Sequence, residues 1–104
     1  MKVTAVTTWE GTPAALLLLI EASRAAAEIH KGFGAKNPRM LQPMVGGNPS
    51  VLNYVVDFDS LDDYASFSNQ AISSGWWDGM VKSVAESYPD LKIVGQTLMR
   101  NAIE

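Results

Sequence analysis

The chain has 104 residues, of which 47% are hydrophobic and 18% charged, with a formal net charge of −3; this suits one domain, residues 1–104, with a real core and no length for a second. An acidic balance with scattered Lys and Arg argues against a nucleic-acid partner, whose phosphates require clustered basic side chains. The lack of cysteine and the presence of a single histidine exclude disulfides, thiol nucleophiles and iron–sulfur clusters, and leave no residue pattern for a metal.

The N-terminus runs directly into Lys2-Val-Thr-Ala-Val-Thr-Thr-Trp9, a β-prone segment with none of the features of a signal peptide. Val3, Ala5, Thr7 and Trp9 fall on one face, and Lys2, Thr4, Val6 and Thr8 on the other. Gly11 ends the strand, Thr12 is an N-cap, and Pro13 opens a helix at the position where its missing N–H costs nothing. The longest apolar run, Ala14 to Ile20, falls well short of the roughly 20 residues that cross a bilayer. A cytoplasmic protein without membrane attachment is expected.

The helix from Pro13 to about Lys31 gathers Glu21, Arg24, Glu28 and Lys31 in a narrow solvated arc. Leu16, Leu19, Ala22, Ser23, Ala26, Ile29 and His30 lie toward the other side. Alanines 22, 25, 26 and 27 keep its second half slim, so that either a sheet approaches closely or a space remains. Gly32 and Gly34 stop it.

A second strand is expected over Arg39–Val45, at an edge or bulge because Pro43 cannot donate to a ladder. The glycine-rich turn Gly46–Ser50 joins it to Val51–Phe58 as a hairpin. Ser60 then caps a helix beginning at Leu61, with Asp63 three residues on. Ser73-Ser-Gly75 interrupts that helix, and Trp76-Trp77 opens a second piece. After Pro89-Asp90, Leu91 to about Ala102 forms the last strand, with Ile93, Gly95, Thr97 and Met99 on one side.

Strand, helix, strand, strand, helix, strand is the ferredoxin-like α+β order, βαββαβ with a four-stranded antiparallel sheet. Two helices cover one face of such a sheet, whereas all four strands carry apolar residues on both. A second copy of the chain, packed sheet to sheet by two-fold symmetry, is the simplest cover for the remaining face.

Thr8-Trp9-Glu10-Gly11 before an Ala/Leu-rich helix, the Gly46-Gly47 hairpin, Val55-Val-Asp-Phe-Asp-Ser-Leu-Asp-Asp-Tyr64 and Trp76-Trp77 together make the chain resemble the dimeric α+β barrel superfamily over nearly its whole length. That superfamily includes antibiotic-biosynthesis and haem-degrading monooxygenases, muconolactone isomerases, polyketide cyclases and stress-responsive barrel proteins. The resemblance implies a homodimer with a small-molecule cavity between helices and sheet in each subunit. It transfers no catalytic residue: His30, near the end of the first helix, does not sit where the haem-degrading members' Asn/Trp/His set expects its histidine.

His30 is the natural acid/base candidate because its ordinary titration lies near neutrality; a half-buried histidine favoured by the helix C-terminus is the structural alternative. Trp9, Phe67 and Trp77 are large apolar groups for a core, an interface or a ligand. Adjacent tryptophans point about 100° apart, so Trp77 is expected inward and Trp76 toward a rim or partner. Met40 and Gln42 on one strand and Tyr54 on the next suit a pocket for an apolar body with one polar head.

Gly32-Phe-Gly34 follows a helix and so lacks the N–H cradle of a phosphate loop. Capping and turns account for Asp57, Asp59, Asp62 and Asp63 without a metal. These residues lead to a homodimer that binds an apolar or amphiphilic molecule, aromatic or fatty-acid-like, through Trp9, His30, Met40, Gln42, Tyr54, Phe67 and Trp77, with no cofactor. The alternatives are a cofactor-independent monooxygenase or isomerase with His30 as base, and a structural dimer without a ligand.

Overall fold

The computed structural model describes residues 1–103. Its elements are β1 (Val3–Gly11), α1 (Pro13–Gly32), β2 (Lys36–Leu41), β3 (Val51–Phe58), α2 (Leu61–Ser73), α3 (Trp76–Ser87) and β4 (Leu91–Arg100). The four strands pair antiparallel in the order β2-β3-β1-β4, which is the ferredoxin-like α+β arrangement. The molecule measures 36 × 34 × 19 Å. Its short axis has room for one sheet and one layer of helices, each helix being about 10–12 Å across.

Local chemistry sets the element boundaries. The Thr12 hydroxyl accepts from the Ala15 amide at 3.2 Å and Pro13 follows it, so α1 begins with one orphan donor satisfied and another absent. Ser60 does the same for α2, accepting from the Asp63 amide at 3.0 Å, with Asp62 and Asp63 favoured by the positive end of the helix dipole. Gly75 takes a left-handed conformation, φ +83°, and divides α2 from α3. At Gly11 the chain passes so close to β4 that a Cβ would stand 2.7 Å from the Asp90 carbonyl oxygen. No side chain fits there.

Register divides the sheet into two unlike faces. Val3, Ala5, Thr7 and Trp9 of β1 stand opposite Phe58, Val56, Tyr54 and Leu52 of β3, and all of these lie under the helices. The filled core gathers at one end of this face, where Val3, Ala35, Val56 and Phe58 are buried against Ala5, Tyr54, Tyr64 and Phe67. On the other face Thr4 donates to Asp57 at 2.9 Å, Thr8 donates to Asn53 at 2.8 Å, and Arg39 donates to Asp57 at 3.1 Å. Burial opposes ionisation of Asp57, but hydrogen bonds from Thr4, Asn37 and Arg39 and the Arg39 charge outweigh it and hold the carboxyl below its ordinary range. This face is therefore mixed, with Val6, Val55 and Met99 set among polar pairs that satisfy one another.

Two strand boundaries differ from expectation. The second strand is Lys36–Leu41, not 39–45. It starts earlier because the chain re-enters the sheet through a register shift between Lys36 and Arg39, with Asn37 at φ +51°. It ends before Pro43, and beyond it Met44 is 96% exposed on the loop. In β4 a bulge opposite Thr8 and Trp9 breaks the alternation: Ile93 pairs with Trp9, and Gly95 pairs with Thr8. Ile93 thus joins the helix-covered face, whereas Gly95, Thr97 and Met99 share the register of Thr8, Val6 and Thr4 on the other. An inserted residue reverses which way the following side chains point.

Candidate functional site

Between the helices and the sheet, beside the filled core, lies a cavity of about 900 Å³. Its existence follows from side-chain size. The face of α1 that lines it carries Ala15, Ala22, Ala25 and Ala26 among larger residues such as Leu19 and Ile29, and the alanines are too short to reach across the space the larger neighbours hold open. Trp9, Tyr54 and Val56 form part of its floor, and Phe67, Trp76, Trp77 and Met80 come from α2 and α3. Leu18, Ile72 and Trp77 line it while remaining exposed, so the cavity opens to solvent between the helices. Among the described residues that line it there is no Lys, Arg, Asp or Glu.

His30 stands where the filled core meets this cavity, and it is only 4% exposed. The way α1 ends places it there. Its carbonyl accepts from the amides of Phe33 and Ala35, each at 3.0 Å, while Gly34 takes the left-handed turn at φ +98° and Ala35 is buried. The last turn is thereby pinned with the imidazole pointing in. Phe67, Tyr54 and Trp76 meet the ring edge-on, at centroid distances of 5.3, 5.4 and 4.3 Å. Phe67 also packs on Phe58 at 5.1 Å, so the aromatic contacts run unbroken from the core to the cavity wall.

One polar contact holds the imidazole. His30 Nδ1 lies 2.7 Å from the Tyr54 hydroxyl, and among the described residues His30 Nε2 is a buried polar atom with no hydrogen-bond partner. Loss of hydration pushes the imidazole down from 6.5 to about 4, and pushes the Tyr54 phenol up to about 12. Both groups are uncharged at neutral pH. The pair offers hydrogen bonds without charge and is a weak base.

The residues singled out in the sequence do not all converge here. Trp9, His30, Tyr54, Phe67 and Trp77 line the cavity. Met40 is paired with Tyr54 in β2 and Gln42 is exposed beyond the strand's end; neither is part of the wall. The tryptophans exchange their expected places. Trp76 is the one against His30, half-buried, while Trp77 is 36% exposed toward the mouth. The left-handed Gly75 ahead of them sets the direction in which α3 starts, which the 100° between neighbouring side chains does not fix. The alanines of α1 and the bulged end of β4, with Leu91, Gln96 and Leu98, complete the wall. The small residues had left a space as one of two alternatives, the other being a close approach of the sheet, and the bulge gave no sign of itself in the alternation.

Among the described residues no cluster of His, Asp or Glu has the geometry to hold a metal ion, and no helix is long and apolar enough to cross a membrane.

Neither a family model nor a curated protein matches the sequence. Solved structures do. A conserved protein from Methanosarcina mazei superposes with a TM-score of 0.71 at 14% identity, covering 97% of this chain and 93% of that one. A NIPSNAP family protein of unknown function from Agrobacterium tumefaciens superposes with a TM-score of 0.69 at 16% identity, over 97% and 88%. At such identities the likeness is one of fold.

Proposed function

We propose that the protein is a homodimer that binds a small apolar or amphiphilic molecule in the helix–sheet cavity of each subunit. The observation that carries this reading is an apolar space of about 900 Å³ with one polar pair, the buried His30 and the half-buried Tyr54, among its lining residues. That volume is at the upper end of ordinary ligand pockets, which are apolar with few fixed polar groups. A water-filled apolar groove of this size is an unfavourable resting state, and an apolar occupant removes the cost.

The second copy is argued from the sheet. Its outer face has the exposed Met99 and the half-buried Val6 around polar pairs already satisfied within the subunit, so covering it leaves few donors stranded. A two-fold axis through such a face brings the same patch of each subunit together, so that every contact made off the axis is made twice.

The acid/base alternative has less support. A histidine that holds its proton only below about pH 4 is a poor general base at neutrality, where a catalytic pKa near the working pH is favoured. Mass spectrometry of organic extracts from the purified protein tests the binding reading, with Ala26→Trp as the cavity-filling control. A small apolar molecule recovered from wild type and absent from the variant supports it. No extracted molecule, together with no binding of added hydrophobic probes to either protein, overturns it.

A further inference from the structure

We infer that α3 is a strap over the cavity, a helix held at its two ends that lifts to admit a ligand and settles on it once bound. This rests on the binding reading above and adds how the site is entered and closed.

Packing supplies the first observation. Of the three helices, α3 alone has no buried residue, whereas α1 buries Leu16 and His30 and α2 buries Ala71. Its apolar stripe, Trp76, Met80 and Val84, recurs every four residues and lines the cavity, yet each of the three is only half-buried. What lies against the stripe is open space rather than side chains. A helix in a protein owes most of its stability to such packing, and 12 residues is a length at which a helix on its own is marginal in water. Lifted from the cavity, α3 therefore gives up its helical hydrogen bonds as well.

Local chemistry supplies the second. α1 and α2 start from Thr12 and Ser60, whose hydroxyls accept from helix amides, while α3 starts from Gly75, which has no side chain to cap with. Only the Ser74 hydroxyl, 3.3 Å from the Trp76 amide, assists. Gly79 stands within the helix, where glycine is a poor helix former, and a Cβ there would meet nothing within 4 Å, so packing does not require it. Among the described residues no ion pair joins Asp78, Lys82 or Glu86 to another element, and the Ser87 hydroxyl donates to the Ser83 carbonyl within α3.

The two ends, by contrast, are fixed. Trp76 meets the His30 ring at 4.3 Å, next to the left-handed Gly75, a residue at an element's end of the kind that serves as a hinge. After the helix the Asp90 amide donates to the Ser87 carbonyl at 2.9 Å, and the Asp90 carbonyl accepts from the Thr12 amide at 3.0 Å. The span between these ends has little packing to break, which is the mark of a segment that opens more readily than the core. An apolar occupant gives Met80 and Val84 the surface they lack, so ligand and strap stabilise each other.

Hydrogen–deuterium exchange of the whole chain tests this, with ethylnaphthalene as the probe. Its binding is measured separately by quenching of tryptophan emission, since Trp9, Trp76 and Trp77 line the cavity. In the free protein the helix-bonded amides of residues 80–87 are expected to exchange at least about a hundredfold faster than those of β1 and β3. Because opening of α3 releases the probe, a free probe concentration about ten times its Kd slows these amides about tenfold. Those of α2, whose Tyr64 and Phe67 pack on the filled core, slow less than about twofold. Gly79→Ala is expected to slow exchange in α3 about fivefold without any probe, through helix propensity alone.

Exchange in α3 as slow as in β1 and β3, a bound probe that leaves α3 no slower or slows α2 equally, or a Gly79→Ala rate equal to that of wild type overturns the inference. Failure of the probe to quench tryptophan emission overturns the binding reading, and the strap's role with it. The two failures are told apart because quenching and exchange are read separately.

Discussion

Tyr54 and His30 are joined by a 2.7 Å hydrogen bond across two elements, β3 and the last turn of α1. It is the point at which the sheet fixes the orientation of the cavity's most deeply buried polar group. Together with the backbone hydrogen bonds that the His30 carbonyl accepts from Phe33 and Ala35, it holds the imidazole in place.

The first consequence is a dependence of stability on pH. His30 titrates near 6.5 when unfolded and near 4 in the fold, so between these values the unfolded chain binds the extra proton. Stability is then highest above about pH 6.5 and is lost as pH falls toward 4, by up to about 3 kcal/mol. Urea denaturation between pH 7 and pH 4 is expected to show this slope in wild type and a much shallower one in His30→Leu. Equal slopes would mean that the imidazole is solvated.

Removing both partners of the pair is expected to cost less than the two single removals add up to. Tyr54→Phe leaves Nδ1 as a second buried orphan and is expected to lower stability by about 1–3 kcal/mol. The double variant Tyr54→Phe/His30→Leu replaces the polar contact with an apolar one. Its loss is expected to fall short of the sum of the single losses, as contacting residues are not additive. Thermal or urea unfolding of the four proteins closes this cycle.

Gly11→Ala tests the close approach of β1 to the turn before β4. The added methyl would stand 2.7 Å from the Asp90 carbonyl oxygen, and β4 must move to accommodate it. A loss of about 1–3 kcal/mol is expected from the midpoint of urea unfolding. Since β4 supplies Leu91, Gln96 and Leu98 to the wall, probe affinity is expected to fall with it.

The association of two subunits through the bare sheet face has a simple variant test. Met99 is 47% exposed in the subunit and lies on that face, so Met99→Lys is tolerated by a monomer and unfavourable in an interface. Analytical ultracentrifugation is expected to give a dimer for wild type and a predominantly monomeric Met99→Lys. A wild type that sediments as a monomer over a wide concentration range would remove the dimer.

Much of this molecule is legible in its sequence because local chemistry and tertiary fold agree. Thr12-Pro13 and Ser60 with Asp63 announce their helices through capping groups, and the β-branched run Val51–Phe58 has no competing helical pattern. The alanines of α1 leave two outcomes open in the sequence, a sheet packed close or a space, and the larger neighbours decide for the space.

What periodicity leaves out is the effect of single residues that break it. The β4 bulge moves Ile93 to the helix side, and the left-handed Gly75 turns Trp76 rather than Trp77 onto His30. β2 ends at Leu41, so Gln42 does not share a strand face with Met40. In each case counting residues along the chain fails because the chain changes direction, and the direction is set by packing partners distant in sequence.

The most direct test of the account is a crystal structure of the protein grown with an apolar aromatic probe such as ethylnaphthalene. Density is expected in the cavity between the helices and the sheet, with the aromatic frame against Trp76 and Phe67. A cavity closed by collapse of α1 onto the sheet, or a probe bound only on the outer surface, would contradict it.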